Sequence, residues 1–224
     1  IEGMKRFTKT EWTRNMVLEH AGVDSNVVGI SINIDLFRPR HMSLLGRKPV
    51  RIVAMVRPNS PYRNPDMTVG ILKQIYEKYK SDVEIWFFGA NDINDIVDSR
   101  LLDFKWEQLG KLTQPQVASV MSKADIFTDF SSHQAMGLTA LEAMSAGCSV
   151  IVPQKGGAVE FINNYENGIV ADTSSFKLSL NSLEELVEDD NLRKKIQIAG
   201  INDVVNYYPE KVSYKILESI FGDK

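Results

Sequence analysis

The sequence predicts an α/β fold with a doubly wound parallel sheet, and three observations carry that expectation. From Val50 onward, short β-branched or aromatic runs alternate with segments of helical period. The runs are continuously apolar rather than alternating, as strands buried on both faces must be. The chain has 224 residues, 43% of them hydrophobic and 25% charged, enough for one large domain or for one domain with a flanking piece of another.

Taken in order, residues 8–21 read as a helix, with Thr8 and Glu11 at capping-box spacing and Gly22 placed to end it. NVVGISI (26–32) reads as a strand and NIDLFRP (33–39) as a polar turn closed by proline. The basic connector that follows, His41 included, is boundary chemistry. This divides the chain into residues 1–40, the end of a preceding domain and a linker, and residues 41–224, the α/β unit. The strands expected there are 50–56, 83–89, 104–110, 124–130, 148–153 and 168–172. The helices expected between them are 65–80, 91–102, 114–124, 137–147 and 156–164, and a charged helical tail from Leu180 to Phe221 is interrupted near Tyr208 and Pro209. The different character of the first 40 residues, and the start at Ile1, make a segment of a longer protein the expectation.

Composition excludes several functions. With 26 Lys plus Arg against 29 Asp plus Glu, a formal charge of −3, no net positive field recruits a nucleic-acid backbone. The single cysteine, Cys148, precludes an internal disulfide framework and a thiolate zinc knuckle. No apolar run reaches the length of about 20 residues that spans a bilayer, and no signal-peptide core is present; a cytoplasmic location is expected. The phosphate-loop pattern Gly-x-x-x-x-Gly-Lys-Ser/Thr and the dinucleotide pattern Gly-x-Gly-x-x-Gly are both missing. Histidines 20, 41 and 133 are too scattered to form a metal site, and Ser131 and Ser132 have no acid and base at triad spacing.

Positive signals converge on the carboxyl ends of the strands, where open α/β sheets bind ligands. From Phe130 to Gln154 the one formally charged residue is Glu142, on a helix otherwise written GLTALEAMSAG. Its carboxylate is either solvated or held by a ligand's paired hydroxyls, because an unpaired buried charge costs several kcal/mol. Before that helix, DFSSHQAMGLT supplies small residues and Gly137 at the start of the helix, whose free N–H groups and dipole suit a phosphate. Turns of this composition also occur without a ligand, and the pattern alone leaves both readings open. Arg57 and Arg63, in the loop VRPNSPYRNP, either clamp a diphosphate bidentately or serve surface solubility. His133 either touches a ligand or makes a structural hydrogen bond.

Together these segments, over about residues 8–172, resemble the carboxyl-terminal, Rossmann-like domain of GT-B fold glycosyltransferases, the group typified by glycogen, sucrose and lipopolysaccharide sugar transferases. NIDLFRP is similar to that family's interdomain segment. The run ADIFTDFSSHQAMGLTALEAMSAGCSVIVPQKGGAVEFI with the later ENGIVAD is similar to its signature, and VRP with Arg63 resembles its Gly-Arg loop with the following lysine. The resemblance implies a nucleotide-sugar as donor substrate rather than a cofactor, and a site without metal. Glu142 would hold the donor ribose, Met136, Gly137, Leu138 and Thr139 would meet the diphosphate through their backbone, and Arg57 and Arg63 would stabilise the departing nucleoside diphosphate. A glycan or other acceptor would enter through an amino-terminal domain, without which this segment would be inactive; peripheral membrane association of the full-length protein stays open. The chain departs from the pattern at Gln134, eight residues before Glu142, where the family carries a glutamate near the reacting carbon of the sugar. The Arg-Pro loop with Arg63 and Asn64 also resembles certain bacterial rhamnosyltransferases. A non-catalytic nucleotide-sugar-binding module and a sugar-nucleotide epimerase of the same fold are the alternatives.

Overall fold

The computed structural model describes residues 4–39, 49–57 and 61–222. Its centre is a six-stranded, wholly parallel sheet. The strands in chain order are β3 (Val50–Met55), β4 (Val83–Phe88), β5 (Glu107–Gln108), β6 (Ile126–Thr128), β7 (Ser149–Pro153) and β8 (Ile169–Ala171). Their order across the sheet is β5-β4-β3-β6-β7-β8. The chain therefore builds outward in one direction from β3, then returns to start again at β6 beside it. The crevice between β3 and β6 is the topological switch point of a doubly wound sheet.

The two faces of the sheet explain the unbroken apolar runs. In β3, Val53 packs into one core with Phe127, Val150, Val152, Leu141 and Met144. Its neighbours Ile52 and Ala54 pack into the other core with Ile85, Phe87, Ile126, Ile151, Leu72 and Leu183. Successive strand residues point to opposite faces, so every position in a strand covered on both sides must be apolar. Helices α3 (Gln114–Met121) and α4 (Leu138–Ser145) cover the first face, while α2 (Pro65–Tyr79) and α5 (Phe176–Glu188) cover the second. Phe127, at 1% exposure, contributes roughly 1.5–3 kcal/mol by burial alone.

The amino-terminal segment forms a small unit of its own, in which β1 (Phe7–Thr8) and β2 (Asn26–Val27) pair in parallel around α1 (Glu11–Ala21). The helix cap is Thr10, whose side chain accepts from Thr13 N, and not Thr8, which belongs to β1. Gly22, left-handed at φ 63°, ends the helix as expected. The expected strand 26–32 is confined to Asn26–Val27, and Ile30 and Ile32 run on into the core as irregular chain. Phe37 of the NIDLFRP turn is 1% exposed in the same core, so this turn is anchored to the α/β unit. The expected boundary between residues 40 and 41, and His41 itself, lie outside the described residues.

Three further expectations are corrected. Segment 91–102 forms two 3₁₀ turns in place of a helix, because Asp92 and Asp98 accept from the backbone N–H two residues ahead, at Asn94 and Arg100. Segment 156–164 makes only the turn Gly157–Glu160, since Gly156 at φ 115° cannot enter a helix. Segment 104–110 keeps two strand residues, Glu107–Gln108, paired with Trp86 and Phe87 at the sheet edge. In the tail, the break at Tyr208 and Pro209 is where α6 (Asp190–Val204) gives way to α7 (Pro209–Phe221). A second break falls at Asp189, which caps α6 by accepting from Asn191 N and Leu192 N.

Candidate functional site

A cleft of about 470 Å³ opens at the switch point, lined by Trp12, Arg57, Tyr62, Arg63, His133, Gln134 and the run Ala135–Thr139. Seven of the eight residues singled out from the sequence line it, namely Arg57, Arg63, Gln134, Met136, Gly137, Leu138 and Thr139. Glu142 lies one turn further along α4. Arg57, Tyr62 and Arg63 come from the loop after β3, Trp12 from α1, and the remaining wall from the segment after β6 and the first turn of α4.

Gly137 is the cap of α4 in a left-handed conformation, φ 69°, and no side chain caps the helix. The first intrahelical bonds are donated by Ala140 N and Leu141 N to Gly137 O, which leaves the N–H groups of Leu138 and Thr139 without an acceptor among the described residues, at the cleft wall. A Cβ on Gly137 would stand 2.6 Å from Ala158 Cβ, so glycine is demanded twice, by its φ and by the close approach. Gly156 holds the other side: its Cβ would fall 2.0 Å from Gln134 O. Gln134 donates its N–H to Lys155 O at 3.1 Å, and its carbonyl accepts from Gly157 N at 2.7 Å. The backbone of the site loop is thereby clamped against the turn after β7.

Glu142 is not solvated. It is 9% exposed, and removal from water lifts its carboxyl from 4.5 to about 7, against the opposing charge of Arg57. Its carboxyl has no hydrogen-bond partner among the described residues. A desolvated acceptor beneath an open helix amino terminus, with an exposed arginine acting on it, combines the chemistry that hydroxyls and negative charge require. Arg63 is half-buried, with Cζ 5.2 Å from the Tyr62 ring centroid, and its Nε is buried without a hydrogen-bond partner among the described residues. No group of three or more His, Cys, Asp or Glu able to hold a metal ion exists among the described residues.

Three residues that the sequence reasoning passed over shape the site, two of them lining the cleft and one lying behind it. Trp12 of α1 and Tyr62 stack on the two sides of His133, with ring centroids 5.6 and 4.8 Å away. Helix α1 is fixed there by Thr10 and Thr13, whose hydroxyls donate to Ala135 O at 2.9 and 3.2 Å. Glu160 also holds it, accepting from Glu11 N and Trp12 N. His133 thus lines the cleft and is packed between the rings of Trp12 and Tyr62. The third residue is Asp129, which accepts from Ser131 N at 3.0 Å, Ser131 Oγ at 2.5 Å and Gln134 Nε2 at 2.5 Å. A charged residue at the end of the apolar run ADIFTDF was the available signal. Ser132 Oγ lies 3.2 Å from His133 Nδ1, but the carboxylate sits on Ser131, so no Ser-His-Asp line forms.

Residues 41–203 match the family described as "Glycosyl transferases group 1". The chain belongs to that family. A D-inositol 3-phosphate glycosyltransferase of Corynebacterium diphtheriae is 29% identical over 108 residues, 48% of this chain and 25% of that protein. The counterpart from Corynebacterium aurimucosum is 22% identical over 94% of this chain and 54% of its own length. Among solved structures, a glycosyltransferase from Rickettsia africae superposes with a TM-score of 0.79 at 20% identity, covering 100% of this chain and 65% of that one. Anabaena Alr3699/HepE, solved in complex with UDP and glucose, superposes at 0.79 and 16% identity over 96% of this chain and 62% of that one. The fold is thus the Rossmann-like α/β fold of GT-B glycosyltransferases. This group 1 chain spans between a quarter and about half of the two curated relatives.

Proposed function

We propose that this chain is the donor-binding part of a glycosyltransferase that moves a sugar from a nucleotide-sugar to a glycan or other acceptor, the acceptor being bound by a further domain. One observation carries the reading: the uncapped amino terminus of α4 shares a cleft with Arg57 and Arg63 at the switch point of the sheet. The free N–H groups of Leu138 and Thr139 supply fixed partial positive charge, and the two guanidiniums supply full charge. A diphosphate that gains charge as its bond to the sugar breaks is stabilised there more in the transition state than in the ground state. Glu142 is assigned to the ribose hydroxyls. Gln134 is assigned to the sugar, at the entrance beside His133.

Such a site neutralises the leaving group with side chains and helix N–H groups, so binding is expected without a divalent metal. The experiment is titration calorimetry of the chain, in excess chelator, with UDP, GDP, ADP and dTDP and with UDP-glucose and dTDP-rhamnose. UDP comes first because the Anabaena neighbour carries it. Binding in chelator that is lost in Arg57→Ala and Arg63→Ala supports the reading. Binding that arises only on adding magnesium or manganese rejects it. Transfer or donor hydrolysis by the full-length protein then separates an enzyme from a binding module.

A further inference from the structure

We propose that Asp129 is a positioning residue that fixes which end of the Gln134 amide faces the donor sugar, so that this site presents a neutral acceptor where the family carries a glutamate. The inference rests on the donor-site reading above. Gln134 Nε2 is consumed inward, donating to Asp129 Oδ2 at 2.5 Å and to Ser131 Oγ at 3.0 Å. An ionised carboxylate only accepts, so it decides the amide's orientation. The amide oxygen is then the end left over; Gln134 Oε1 has no partner among the described residues, and Gln134 lines the cleft.

Asp129 is itself held rigidly. Its backbone N–H donates to Ile151 O at 3.0 Å at the end of β6, and its Oδ1 takes both the N–H and the hydroxyl of Ser131. Desolvation pushes its carboxyl above the usual range, while the Ser131 bonds, the charge of Arg63 and the Gln134 bond oppose that rise. The three donors converging on its oxygens, with the charge of Arg63, favour the ionised form of Asp129, an acceptor-only group one hydrogen bond behind Gln134. It polarises the amide so that Oε1 is the more negative end, suited to accept from a sugar hydroxyl and to face a carbon that becomes positive as the leaving group departs.

The geometry makes a sharp test. In Asp129→Asn, the Ser131 N–H still demands the oxygen at the Oδ1 position, which places an amide NH₂ opposite Gln134. Two donors cannot meet, so Gln134 must turn and present its NH₂ to the cleft. Adding Gln134→Glu to that variant restores an acceptor on both sides of the cleft wall. The readout is the ratio of affinities for UDP-glucose and UDP, measured by calorimetry on the full chain, with circular dichroism as the check on folding. Asp129→Asn is expected to lower this ratio about three- to tenfold, the worth of one hydrogen bond, with UDP affinity within about twofold of wild type. The double variant Asp129→Asn with Gln134→Glu is expected to recover it. Gln134→Leu, which keeps the Asp129 side chain but removes the amide it orients, should show the same loss and serves if Asp129→Asn does not fold. An unchanged ratio, equal weakening of UDP and UDP-glucose, or no recovery in the double variant overturns the assignment of Asp129. A wild-type chain that binds none of the nucleotides or sugar nucleotides named above instead overturns the donor site itself.

Discussion

Replacing Glu142 with glutamine should stabilise the empty protein and weaken its ligand, a combination that few other positions on α4 could give. Burial holds the carboxyl at about 7 in the folded chain against an ordinary 4.5. A carboxyl whose folded value is raised leaves stability intact below pH 4.5 and drains it as pH rises from 4.5 through 7, because over that range the unfolded chain gains by releasing a proton that the folded chain still holds. The full difference would be about 3 kcal/mol; screening at the cleft edge reduces the expectation to about 1–2 kcal/mol. Glutamine has the same shape and no ionisation cost. Urea midpoints of the two proteins should therefore nearly coincide at about pH 4, separate between about pH 4.5 and 7, and stay apart by a constant amount above that, with Glu142→Gln the more stable. At pH 8 the variant should bind UDP about 10- to 100-fold more weakly, the loss of a charge-assisted hydrogen bond of roughly 1.5–3 kcal/mol. If Glu142→Gln instead unfolds more easily at every pH while UDP affinity is unchanged, the carboxylate is structural and its assignment to the ribose is wrong.

Two further expectations test the loop and the core. Gly137→Ala should cost about 1–3 kcal/mol in stability, from left-handed strain and the 2.6 Å approach to Ala158 Cβ; UDP affinity should fall by a larger factor than in an alanine variant on the exposed face of α1. Equal stability of wild type and Gly137→Ala in urea titration would contradict the cap geometry. Cys148 is 1% exposed and donates to Met121 O at 3.2 Å, and burial pushes its thiol well above the usual range. An aromatic disulfide reagent at neutral pH should therefore label it only as fast as the chain unfolds, and rapid labelling of the native protein would refute its burial.

What the sequence by itself determined is the part governed by period and local chemistry. The apolar runs of β3, β4, β6 and β7 could belong only to strands covered on both faces, and the glycines and small residues around Gly137 marked the helix start with its open N–H groups. Glu142 was legible as chemistry because one charge interrupts a run that is otherwise small or apolar, Arg57 and Arg63 because they share a loop at the carboxyl edge of the sheet, and Gln134 only through the family resemblance. The tertiary structure alone decided how those groups are used. That Glu142 is desolvated rather than solvated depends on the packing of α4 against β7 and α6, which no local pattern encodes. Trp12 reaches the cleft because α1 docks on Ala135 and Glu160, contacts that join residues 122 to 149 positions apart. Asp92 and Asp98 converted an expected helix into two turns by bonding their own backbone, a competition that hydrophobic period does not register. Asp129 was visible as a residue, but its bond to Gln134 exists only because the turn between them folds back on itself. Local sequence specifies which groups are available; the distances between them, and hence which are satisfied by the protein and which are left for a ligand, are set by long-range packing.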